Sequence, residues 1–382
     1  MEVTVNYHTD VAIIGAGIVG LAHGIAAAQQ GLQVCVFERS HKAVGASIRN
    51  FGMIWPIGQP AGQLLKRAVR TRQIWLDIAP KAGIAIEPSG SLHLAYRPDE
   101  MAVLEEFVQT REQSDNELAL LSAAEVGTKS TAAVTDGLLG GLWSGTEAII
   151  NPRQALWTLP DYLTHTYGIN FYFNQTVTEV HYPDFRVGGD RWQADLILIC
   201  SGSDFETLYP HIYQQFPITK SKLQMMSTVP QPHNWRLGPS LCSGLTLTHY
   251  QAFAHCPSLT ALKDRIQQET PHFPQWHIHV MVAQNATGEL IIGDSHEYGL
   301  NPEPFDREEI NSYILNYLQT FARFPDGAIA ERWHGIYAKL PGRSELIIHP
   351  EPGVTIVNAL GGAGMTLSFG LAEEVIASLV NH

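Results

Sequence analysis

The sequence predicts an α/β protein in which a discontinuous Rossmann-like domain carries a smaller α+β domain with a mostly antiparallel sheet. Three segments support this fold: a strand–turn–helix–strand unit at residues 11–38, an apolar strand at residues 194–199, and a strand followed by a helix at residues 354–379. Each contains the continuous apolar run that is typical of a buried parallel strand. Because the three segments lie far apart in the sequence, the domain that they form is discontinuous.

The first unit begins with the apolar run at residues 11–14 and continues through Gly15-Ala16-Gly17-Ile18-Val19-Gly20. An alanine-rich helix is predicted over residues 21–30, where Gly31 ends it, and a second strand over residues 33–37. Glu38 closes that strand. A strand, a helix and a strand in this order form a βαβ unit.

The other predicted elements divide the chain between two domains. Strands at residues 171–180, 194–199 and 354–359 and a helix at residues 367–379 complete the first domain, which is assigned residues 1–80, 142–215 and 328–382. The intervening chain has strand patterns at residues 91–96, 277–283 and 289–293 and helical patterns at residues 98–112 and 307–321. Residues 81–141 and 216–327 are therefore assigned to the second domain.

The composition is that of a globular protein and disfavours a nucleic-acid partner. The chain has 382 residues, of which 45% are hydrophobic and 16% charged, and its formal charge is -13. Binding to nucleic acid or to an anionic membrane needs a basic face, and the sequence contains no basic run. An anionic small substrate is still allowed, because a few local Arg or Lys side chains can outweigh the global field.

The N-terminal residues and the cysteines favour a cytoplasmic location. Residues 1–10 are polar and carry no basic cluster, so we expect no signal peptide. The apolar stretch at residues 11–28 is at the short limit for a membrane span and contains four glycines, so we expect no transmembrane segment. The four cysteines are widely spaced and include no CxxC pair, which gives no support to a zinc ribbon.

The pattern Gly15-x-Gly17-x-x-Gly20 predicts a dinucleotide site because it follows a strand and opens a helix. The first glycine permits a tight turn, the second lets the backbone approach a pyrophosphate, and the third lets helix and strand pack closely. The helix N-terminus would attract the phosphates. Glu38, eighteen residues after Gly20, would accept hydrogen bonds from an adenosine ribose and repel a 2′-phosphate.

Two further segments rich in small residues favour FAD over NAD. One lies at residues 45–53, soon after Glu38, and the other at residues 361–366, where it opens the last predicted helix. Reduction of a flavin leaves negative charge near its N1 and C2 carbonyl, which a helix N-terminus stabilises. An NAD-only dehydrogenase is the alternative.

The chain resembles the D-amino-acid oxidase, glycine oxidase and sarcosine oxidase family of FAD enzymes. The matching segments run from end to end: residues 13–20, 38–39, 46–53, 176–180, 195–202, 288–293, 333–335 and 361–373. More narrowly, residues 49–60 (RNFGMIWPIGQP) and residues 293–299 (GDSHEYG) are similar to a subgroup associated with phosphonate breakdown.

The resemblance implies a role for each cofactor segment. The glycines and Glu38 would hold the ADP half, Val177 would reach the adenine, and Ser201-Gly202 would lie against the pyrophosphate. Residues 46–53 would pass along the isoalloxazine ring, and residues 361–366 would face its N1 edge. The expected cofactor residues are Gly15, Ala16, Gly17, Ile18, Val19, Gly20, Glu38, Arg39, Ser40, Ala46, Ser47, Arg49, Asn50, Gly52, Met53, Val177, Ser201, Gly202, Gly361, Gly362, Ala363, Gly364, Met365 and Thr366.

Two departures from the family pattern carry information. Tyr337 stands where the amino-acid oxidases have an arginine that anchors the substrate carboxylate, which puts a simple α-amino acid substrate in question. Covalent members attach the flavin through a cysteine after this segment or a histidine in the loop that contains Arg49, and this chain has neither. We therefore expect non-covalent FAD.

The expected substrate-positioning residues are Arg49, Tyr337, His249, Tyr250, Arg343 and Lys339. Arg49 lies in the loop that should flank the flavin, and Lys339 and Arg343 follow Tyr337, so any of the three could replace the missing anchor; a structural ion pair or solvation is the alternative. His249 and Tyr250 end a β-like run and could cover the substrate or simply pack in the core. His277 and His279 have the spacing of a metal pair on a strand, but no third ligand is evident, so we expect no metal.

The resemblance implies an FAD-dependent amine oxidoreductase in which a hydride moves from a C–N carbon to flavin N5 and the product imine hydrolyses. An aminophosphonate, 2-aminoethylphosphonate or an N-methyl derivative, is the preferred substrate, with oxygen or another compound as electron acceptor. The alternative within the family is a D-amino acid, glycine or a sarcosine-like N-methyl amino acid. A flavin-binding partner in nucleic-acid modification is a rival that the negative charge disfavours.

Overall fold

The computed structural model describes residues 6–111 and 117–380, and these residues form two large sheets, one small sheet and their flanking helices. The strands are β1 (Asn6–Ile14), β2 (Val34–Glu38), β3 (Met53–Ile54), β4 (Ile86–Glu87), β5 (Ser91–Ala95), β6 (Leu118–Ser122), β7 (Gly140–Ser144), β8 (Ala148–Ile150), β9 (Asn170–Phe173), β10 (Val177–His181), β11 (Asp184–Val187), β12 (Asp190–Ile199), β13 (Thr219–Thr228), β14 (Ser240–Cys242), β15 (Met281–Gln284), β16 (Leu290–Gly293), β17 (Glu297–Gly299), β18 (Ile329–Lys339), β19 (Leu346–Glu351) and β20 (Val354–Asn358). The helices are α1 (Ile18–Gln29), α2 (Gln63–Lys81), α3 (Pro98–Thr110), α4 (Ala123–Lys129), α5 (Pro152–Tyr167), α6 (Pro210–Tyr213), α7 (Gly244–His249), α8 (Leu259–Glu269), α9 (His272–Gln275), α10 (Glu308–Phe321) and α11 (Gly364–Val380).

The first large sheet has a parallel centre in the order β9–β2–β1–β12–β20. Residues 11–14 of β1 are apolar at every position because both faces of this part of the strand are buried. Val11 and Ile13 pack with α1 and α11 on one face, whereas Ala12 and Ile14 pack with a second cluster on the other face. A strand that is buried on both faces cannot alternate polar and apolar residues. The predicted Rossmann-like sheet is confirmed.

The predicted single strand at residues 171–180 is wrong, because two strands occupy this segment. Strand β9 pairs with β2, and β10 forms a hairpin ladder with β11. Between them Asn174 has a φ of 57°, a left-handed conformation that no strand contains. The backbone N–H groups of Asn174 and Gln175 donate to the carbonyls of Ser40 and Glu38. These hydrogen bonds tie the turn to the end of β2 beside the predicted ribose acid.

The second large sheet has the strand order β17–β13–β16–β15–β14–β5–β7–β6, with β18 paired to β13. Its described pairs are antiparallel apart from β5 and β14, so the mostly antiparallel sheet is confirmed. Strand β18 lies in this sheet, although the sequence assigned residues 328–382 to the first domain. The division into two domains stays a prediction.

Two further local expectations are corrected. The strand predicted at residues 277–283 begins only at Met281, because His277 has a φ of 46° and His279 exchanges backbone hydrogen bonds with Asp294 outside the named strands. The β-like run that was expected to end at His249 and Tyr250 is instead the six-residue helix α7. The strand before it is only three residues long, since the chain turns at Ser243, whose hydroxyl donates to the carbonyl of Leu94.

One helical segment, Gly361–Val380, is long and apolar enough to cross a membrane by length and composition. In the fold 56% of its apolar window is buried. It packs against α1 and α2, and Phe369 meets Trp75 edge to face. The burial accounts for its apolar sequence, because a helix in a domain core needs the same composition.

Candidate active site

A cavity of about 930 Å³ lies between the two large sheets. One wall is formed at the carboxyl ends of β1, β2, β12 and β20, and the opposite wall is formed by β13, β15 and β18 of the second sheet. Ligands of open parallel sheets bind at the carboxyl ends of their strands. The cavity is at the upper end of the roughly 300–1,000 Å³ that is usual for ligand sites, which suits a large ligand.

The glycine turn between β1 and α1 forms one end of the cavity. Gly15 has a φ of 109°, a conformation that strongly favours glycine, and its missing side chain leaves room for the carbonyl of Cys200. Gly17 is the N-cap of α1 and has no side chain to cover the first helical N–H groups. A Cβ on Gly20 would overlap the carbonyl oxygen of Gly15. The turn therefore leaves the N-terminus of α1 open to the cavity.

The carboxylate of Glu38 reaches from the end of β2 to this turn. Its Oε2 accepts the backbone N–H of Ala16 at 3.1 Å, and its Oε1 accepts the N–H of Ser40 at 3.0 Å. Each carboxylate oxygen keeps a further lone pair for a ligand hydroxyl. Arg39 forms an ion pair with Asp204 at 2.7 Å and lies at the exposed rim. The structure thus presents Glu38 as an acceptor beside the helix N-terminus.

The loop at residues 45–53 is held by its own side chains. The Ser47 hydroxyl accepts the N–H of Ile18 at 3.0 Å, which ties the loop to α1. The Asn50 amide donates to the carbonyls of Ala46 and Ser47 and accepts the N–H of Gly52. Its amide therefore fixes the shape of the loop.

The turn at residues 361–366 also lines the cavity. It begins after β20 and opens the 17-residue helix α11, whose positively polarised end lies at the cavity wall. The Thr366 hydroxyl accepts the N–H of Trp55 at 2.9 Å. Tyr337 packs over this turn, since a Cβ on Gly362 would lie 3.5 Å from its hydroxyl oxygen.

The ends of β12 and β20 are joined beside the glycine turn. The Asn358 amide donates to the carbonyl of Gly202 at 2.8 Å and to the Tyr213 hydroxyl at 2.9 Å. The Ser201 hydroxyl donates to the carbonyl of Asp204, so this side chain stabilises its own turn. Val177, Ser201 and Gly202 all line the cavity.

Most of the predicted site residues meet in this one cavity. Its lining includes Gly15, Gly17, Ile18, Val19, Glu38, Arg39, Ser40, Ala46, Ser47, Arg49, Asn50, Met53, Val177, Ser201, Gly202, Gly361, Gly362, Ala363, Gly364, Met365, Thr366, Tyr337, His249, Tyr250, Lys339 and Arg343. Three predicted cofactor residues are outside the lining: Ala16, Gly20 and Gly52. Ala16 and Gly20 shape the glycine turn, and Gly52 leaves room for the carbonyl of Ile150.

The part of the cavity within the second sheet has an aromatic wall. Trp55 and Tyr250 lie with ring centroids 6.2 Å apart, and Gly58 leaves the space that the Tyr250 ring occupies. Tyr337 is buried on β18, and burial raises the pKa of its hydroxyl, as does the charge of Asp294. The pKa of Tyr250 is raised for the same two reasons. Both hydroxyls are therefore protonated near neutral pH.

Sequence reasoning missed a cluster of three histidines and an aspartate in the same wall. His279 pairs with Asp294, because its Nε2 lies 2.9 Å from Oδ1, and His296 Nε2 lies 3.8 Å from Oδ2. The ring of His249 stacks on that of His279 with centroids 3.7 Å apart. The sequence paired His279 with His277, whereas the structure groups His279 with His249 and His296. The sequence signal for this cluster is the pair Asp294 and His296, which lies within the GDSHEYG segment at residues 293–299.

Burial sets the protonation of this cluster. It lowers the pKa of His296 to about 4, against the opposing effect of Asp294. It also lowers the pKa of His249, and the charges of the neighbouring histidines and of Lys339 act in the same direction. Burial alone would raise the pKa of Asp294, but His279 and His296 bring it below its usual value. At neutral pH His249 and His296 are thus neutral and Asp294 is ionised.

Three cationic side chains line the cavity without an ion-pair partner in the described part of the chain: Arg49, Lys339 and Arg343. Arg49 donates only a long hydrogen bond of 3.4 Å, to the carbonyl of His334. Lys339 donates to the Tyr298 hydroxyl at 3.1 Å and is the last residue of β18. Arg343 is exposed in the following loop. The predicted cations are therefore available to a ligand.

The cavity fits a flavin dinucleotide on the structure's own evidence. Gly15 and Gly17 line it as backbone without side chains, the N-termini of α1 and α11 both open to it, and Glu38 offers its acceptors beside α1. The N-terminus of α1 suits the anionic phosphates of such a ligand, and the N-terminus of α11 suits a ring that becomes negatively charged on reduction.

The comparisons with known proteins agree with this geometry. A family model described as FAD dependent oxidoreductase (DAO) matches residues 10–378. Glycine oxidase from Geobacillus kaustophilus has 17% identity and a TM-score of 0.76, with 98% of this chain and 95% of that chain covered. L-proline dehydrogenase from P. horikoshii has 17% identity and a TM-score of 0.76, with 99% and 94% covered.

A third solved structure is dithionite-reduced L-alpha-glycerophosphate oxidase from Mycoplasma pneumoniae with FAD bound. It has 16% identity and a TM-score of 0.74, with 98% of this chain and 95% of that chain covered. No curated protein matches the sequence. At these identities the solved structures establish a shared fold over the full length of the described chain.

Proposed function

The chain belongs to the DAO family of FAD-dependent oxidoreductases, and on that premise we propose that it oxidises the C–N bond of a small anionic amine. Glycine oxidase, L-proline dehydrogenase and an iminodiacetate oxidase from Chelativorans sp. BNC1 share its fold and act on nitrogen compounds, as their names state. These names support the C–N bond as the reacting group. We keep the cytoplasm as the proposed location.

The residues of the glycine turn, Glu38 and the turn at residues 361–366 would hold FAD without a covalent bond. When bound, the flavin supplies an acceptor for the two electrons that leave the carbon next to nitrogen. Cys200 is the cysteine of the cavity lining, and burial raises the pKa of its thiol to about 12, which keeps it protonated and unreactive.

The chain's own residues would act by positioning the substrate. Trp55, Tyr250 and Tyr337 form an apolar wall that excludes water from the reacting carbon. Holding the reacting atoms in place supplies much of the rate enhancement of such a reaction, and no side-chain acid or base is required if the amine enters unprotonated. The oxidised product is an imine, and water hydrolyses it to a carbonyl compound and an amine or ammonia.

The observation that carries the substrate class is Tyr337. It lies buried over the turn at Gly362, and the cations available to a ligand are Arg49, Lys339 and Arg343 instead of an arginine at its own position. An anionic substrate group without a cation would be costly to bury, so one or more of these three side chains must bind it. Guanidinium groups bind two oxygens of a phosphonate at once, which favours a dianionic aminophosphonate.

We therefore propose 2-aminoethylphosphonate or an N-methyl derivative as the substrate. Glycine, a D-amino acid or a sarcosine-like amino acid is the second candidate, because the family and the glycine oxidase fold support amino acids. The two candidates differ in the anionic group, which is a phosphonate in one and a carboxylate in the other.

The test is anaerobic bleaching of the bound flavin, followed by kcat/KM for each active compound. The panel contains 2-aminoethylphosphonate, its N-methyl form, glycine, sarcosine, D-alanine and glycerol 3-phosphate. We expect the highest kcat/KM for an aminophosphonate, since that ratio measures discrimination between substrates. A higher ratio for sarcosine, glycine or D-alanine would replace the phosphonate proposal by the amino-acid one. A higher ratio for glycerol 3-phosphate would overturn the C–N assignment.

A further inference from the structure

Three histidines of the cavity wall lie close enough together to bind one metal ion. His249, His279 and His296 each offer one ring nitrogen, and these three atoms lie within 4.8 Å of one another. Zinc–nitrogen bonds are about 2.0–2.1 Å, so nitrogens that share one zinc ion lie roughly 3.3–4 Å apart. The His249 ring stacks on that of His279 with centroids 3.7 Å apart, so His249 must turn out of this stack for both nitrogens to reach one ion.

The hydrogen bonds around the cluster leave the correct nitrogens free. The Nδ1 of His296 lies 3.2 Å from the carbonyl of His277, which can only accept, so Nδ1 carries the proton and Nε2 keeps a lone pair. That lone pair lies 3.8 Å from a carboxylate oxygen of Asp294, and two lone-pair-bearing atoms at this distance repel each other. A cation at this place would remove the repulsion.

His279 shows the same arrangement from the other side. Its Nε2 lies 2.9 Å from Asp294, and its Nδ1 has no hydrogen-bond partner among the described residues although the side chain is only 3% exposed. In zinc proteins a ligating histidine usually has its other nitrogen beside a carboxylate, and the Nε2 of His279 lies beside Asp294 in this way. The reciprocal backbone hydrogen bonds of His279 and Asp294 hold both residues in place.

We propose that His249, His279 and His296 bind a divalent transition-metal ion of the zinc class, and that Asp294 orients His279 as a positioning residue. All three histidines line the cavity, so a fourth coordination position is open to it, as in sites where a metal takes an exogenous ligand. The site does not depend on the substrate proposed above. If an anionic amine does bind, the ion would be a further positive charge in the same cavity.

The main rival is direct binding of an anion by protonated histidines. The Nδ1 hydrogen bond of His296 leaves its Nε2 with a lone pair, and the Nδ1 of His279 is buried with no partner among the described residues. Neutral imidazoles carry lone pairs and suit a metal better than an anion. Lys339 itself is bonded to the Tyr298 hydroxyl and lies 4.8 Å from the centroid of that ring.

The test is zinc binding by the FAD-loaded full chain after dialysis against a chelator. We expect about one zinc per chain with a Kd of about 1 μM or tighter by competition titration. His279→Ala and His296→Ala should weaken binding by more than about a hundredfold, and Asp294→Asn by about tenfold to a hundredfold. His255→Ala, an exposed histidine outside the cavity, should bind zinc as the unaltered protein does.

The FAD content of each variant shows whether that variant is folded. Zinc binding by the unaltered protein tests the site even if a variant does not fold. Failure of the unaltered protein to bind zinc overturns the proposal. Equal zinc binding by the double variant His279→Ala/His296→Ala also overturns it. Binding of methylphosphonate to zinc-free protein that His279→Ala abolishes, with no zinc uptake, would assign the cluster to an anion instead.

Discussion

Gly20 packs so closely against Gly15 that a Cβ atom at position 20 would overlap the Gly15 carbonyl oxygen. Four residues along the same helix, a Cβ on Gly24 would find its nearest neighbour at an ordinary 3.5 Å. Helix α1 thus contains one glycine that the fold requires for close packing against β1 and one that it does not.

We expect Gly20→Ala to lose FAD binding and to lower the free energy of unfolding by about 1–3 kcal/mol, because the helix must move away from β1. Gly24→Ala should keep FAD and change stability by about 1 kcal/mol or less, in the stabilising direction, since alanine is the better helix former. Flavin content and urea unfolding of the two variants measure this difference. Equal effects of the two substitutions would show that the close approach of Gly20 to Gly15 is not required for folding or for FAD binding.

Replacement of Glu38 by glutamine should weaken FAD binding by about tenfold to a hundredfold. The substitution removes a charged acceptor that is worth about 1.5–3 kcal/mol in hydrogen bonds. It also removes one of the two carboxylate oxygens that accept the backbone N–H groups of Ala16 and Ser40. The Kd of FAD for the apoprotein is the measurement, with the exposed Glu105→Gln as the matched control. An unchanged Kd would mean that Glu38 does not contact the ribose.

Denaturation by acid or heat should release all of the flavin into the supernatant. The cysteine that lines the cavity is a buried thiol beside the glycine turn, and the loop at residues 45–53 contains no histidine. Absorbance of the supernatant and of the washed precipitate gives the released fraction. Yellow colour that stays with the precipitate would contradict non-covalent binding.

The stability of the protein should decrease in mild acid through buried neutral histidines. Burial lowers the pKa of His93 to about 3, and both of its ring nitrogens lack a partner among the described residues. The unfolded chain takes up a proton below its ordinary pKa of 6.5, whereas the folded chain does not until about 3, so the free energy of unfolding falls as the pH falls through this window.

His93→Leu removes this proton uptake and nearly conserves the side-chain volume. Between pH 7.5 and pH 5 the unaltered protein should lose about 2 kcal/mol more stability than the variant. Urea unfolding at the two pH values is the measurement, and the exposed His255→Leu should behave as the unaltered protein does. A variant with the same pH dependence as the unaltered protein would show that His93 is not the titrating group.

Removal of Arg49 should raise the KM for the anionic amine substrate by about tenfold to a hundredfold and leave FAD content nearly intact. The expected loss is one charge-assisted pair of hydrogen bonds. Arg343→Ala should have a similar effect if that side chain also closes on the anion. Arg323→Ala, an exposed arginine outside the cavity lining, is the control. If neither Arg49→Ala nor Arg343→Ala changes the KM, these cations do not bind the anion.

The parallel centre of the first large sheet could be predicted because its signals are local. Gly15, Gly17, Gly20 and Glu38 lie within one βαβ unit, and a strand that is buried on both faces shows in the sequence as an apolar run. Asn174 broke a predicted strand because its left-handed turn is stabilised by hydrogen bonds to the end of β2, which the local sequence does not reveal.

The histidine cluster could not be predicted because its members come from three separate segments. His249 ends a short helix, His279 precedes β15, and His296 follows β16. They meet only because β15 and β16 pair, which brings His279 beside Asp294, and because α7 folds back over them. The residue pattern of one segment does not show which distant segments the fold brings into contact with it.

The strand order of the first sheet has a consequence for the growing polypeptide. A ribosome that has translated the chain through residue 200 has delivered β1, β2, β9 and β12, but the other parallel neighbour of β12 is β20, at Val354–Asn358. Until then residues 197–199 of that edge have no strand to pair with, although β11 pairs with residues 190–193, and exposed edges invite pairing with other chains. The nascent protein therefore carries an incomplete sheet and an incomplete cofactor cradle while β13 to β18 of the second sheet are being synthesised, which makes this interval the period of greatest risk of aggregation.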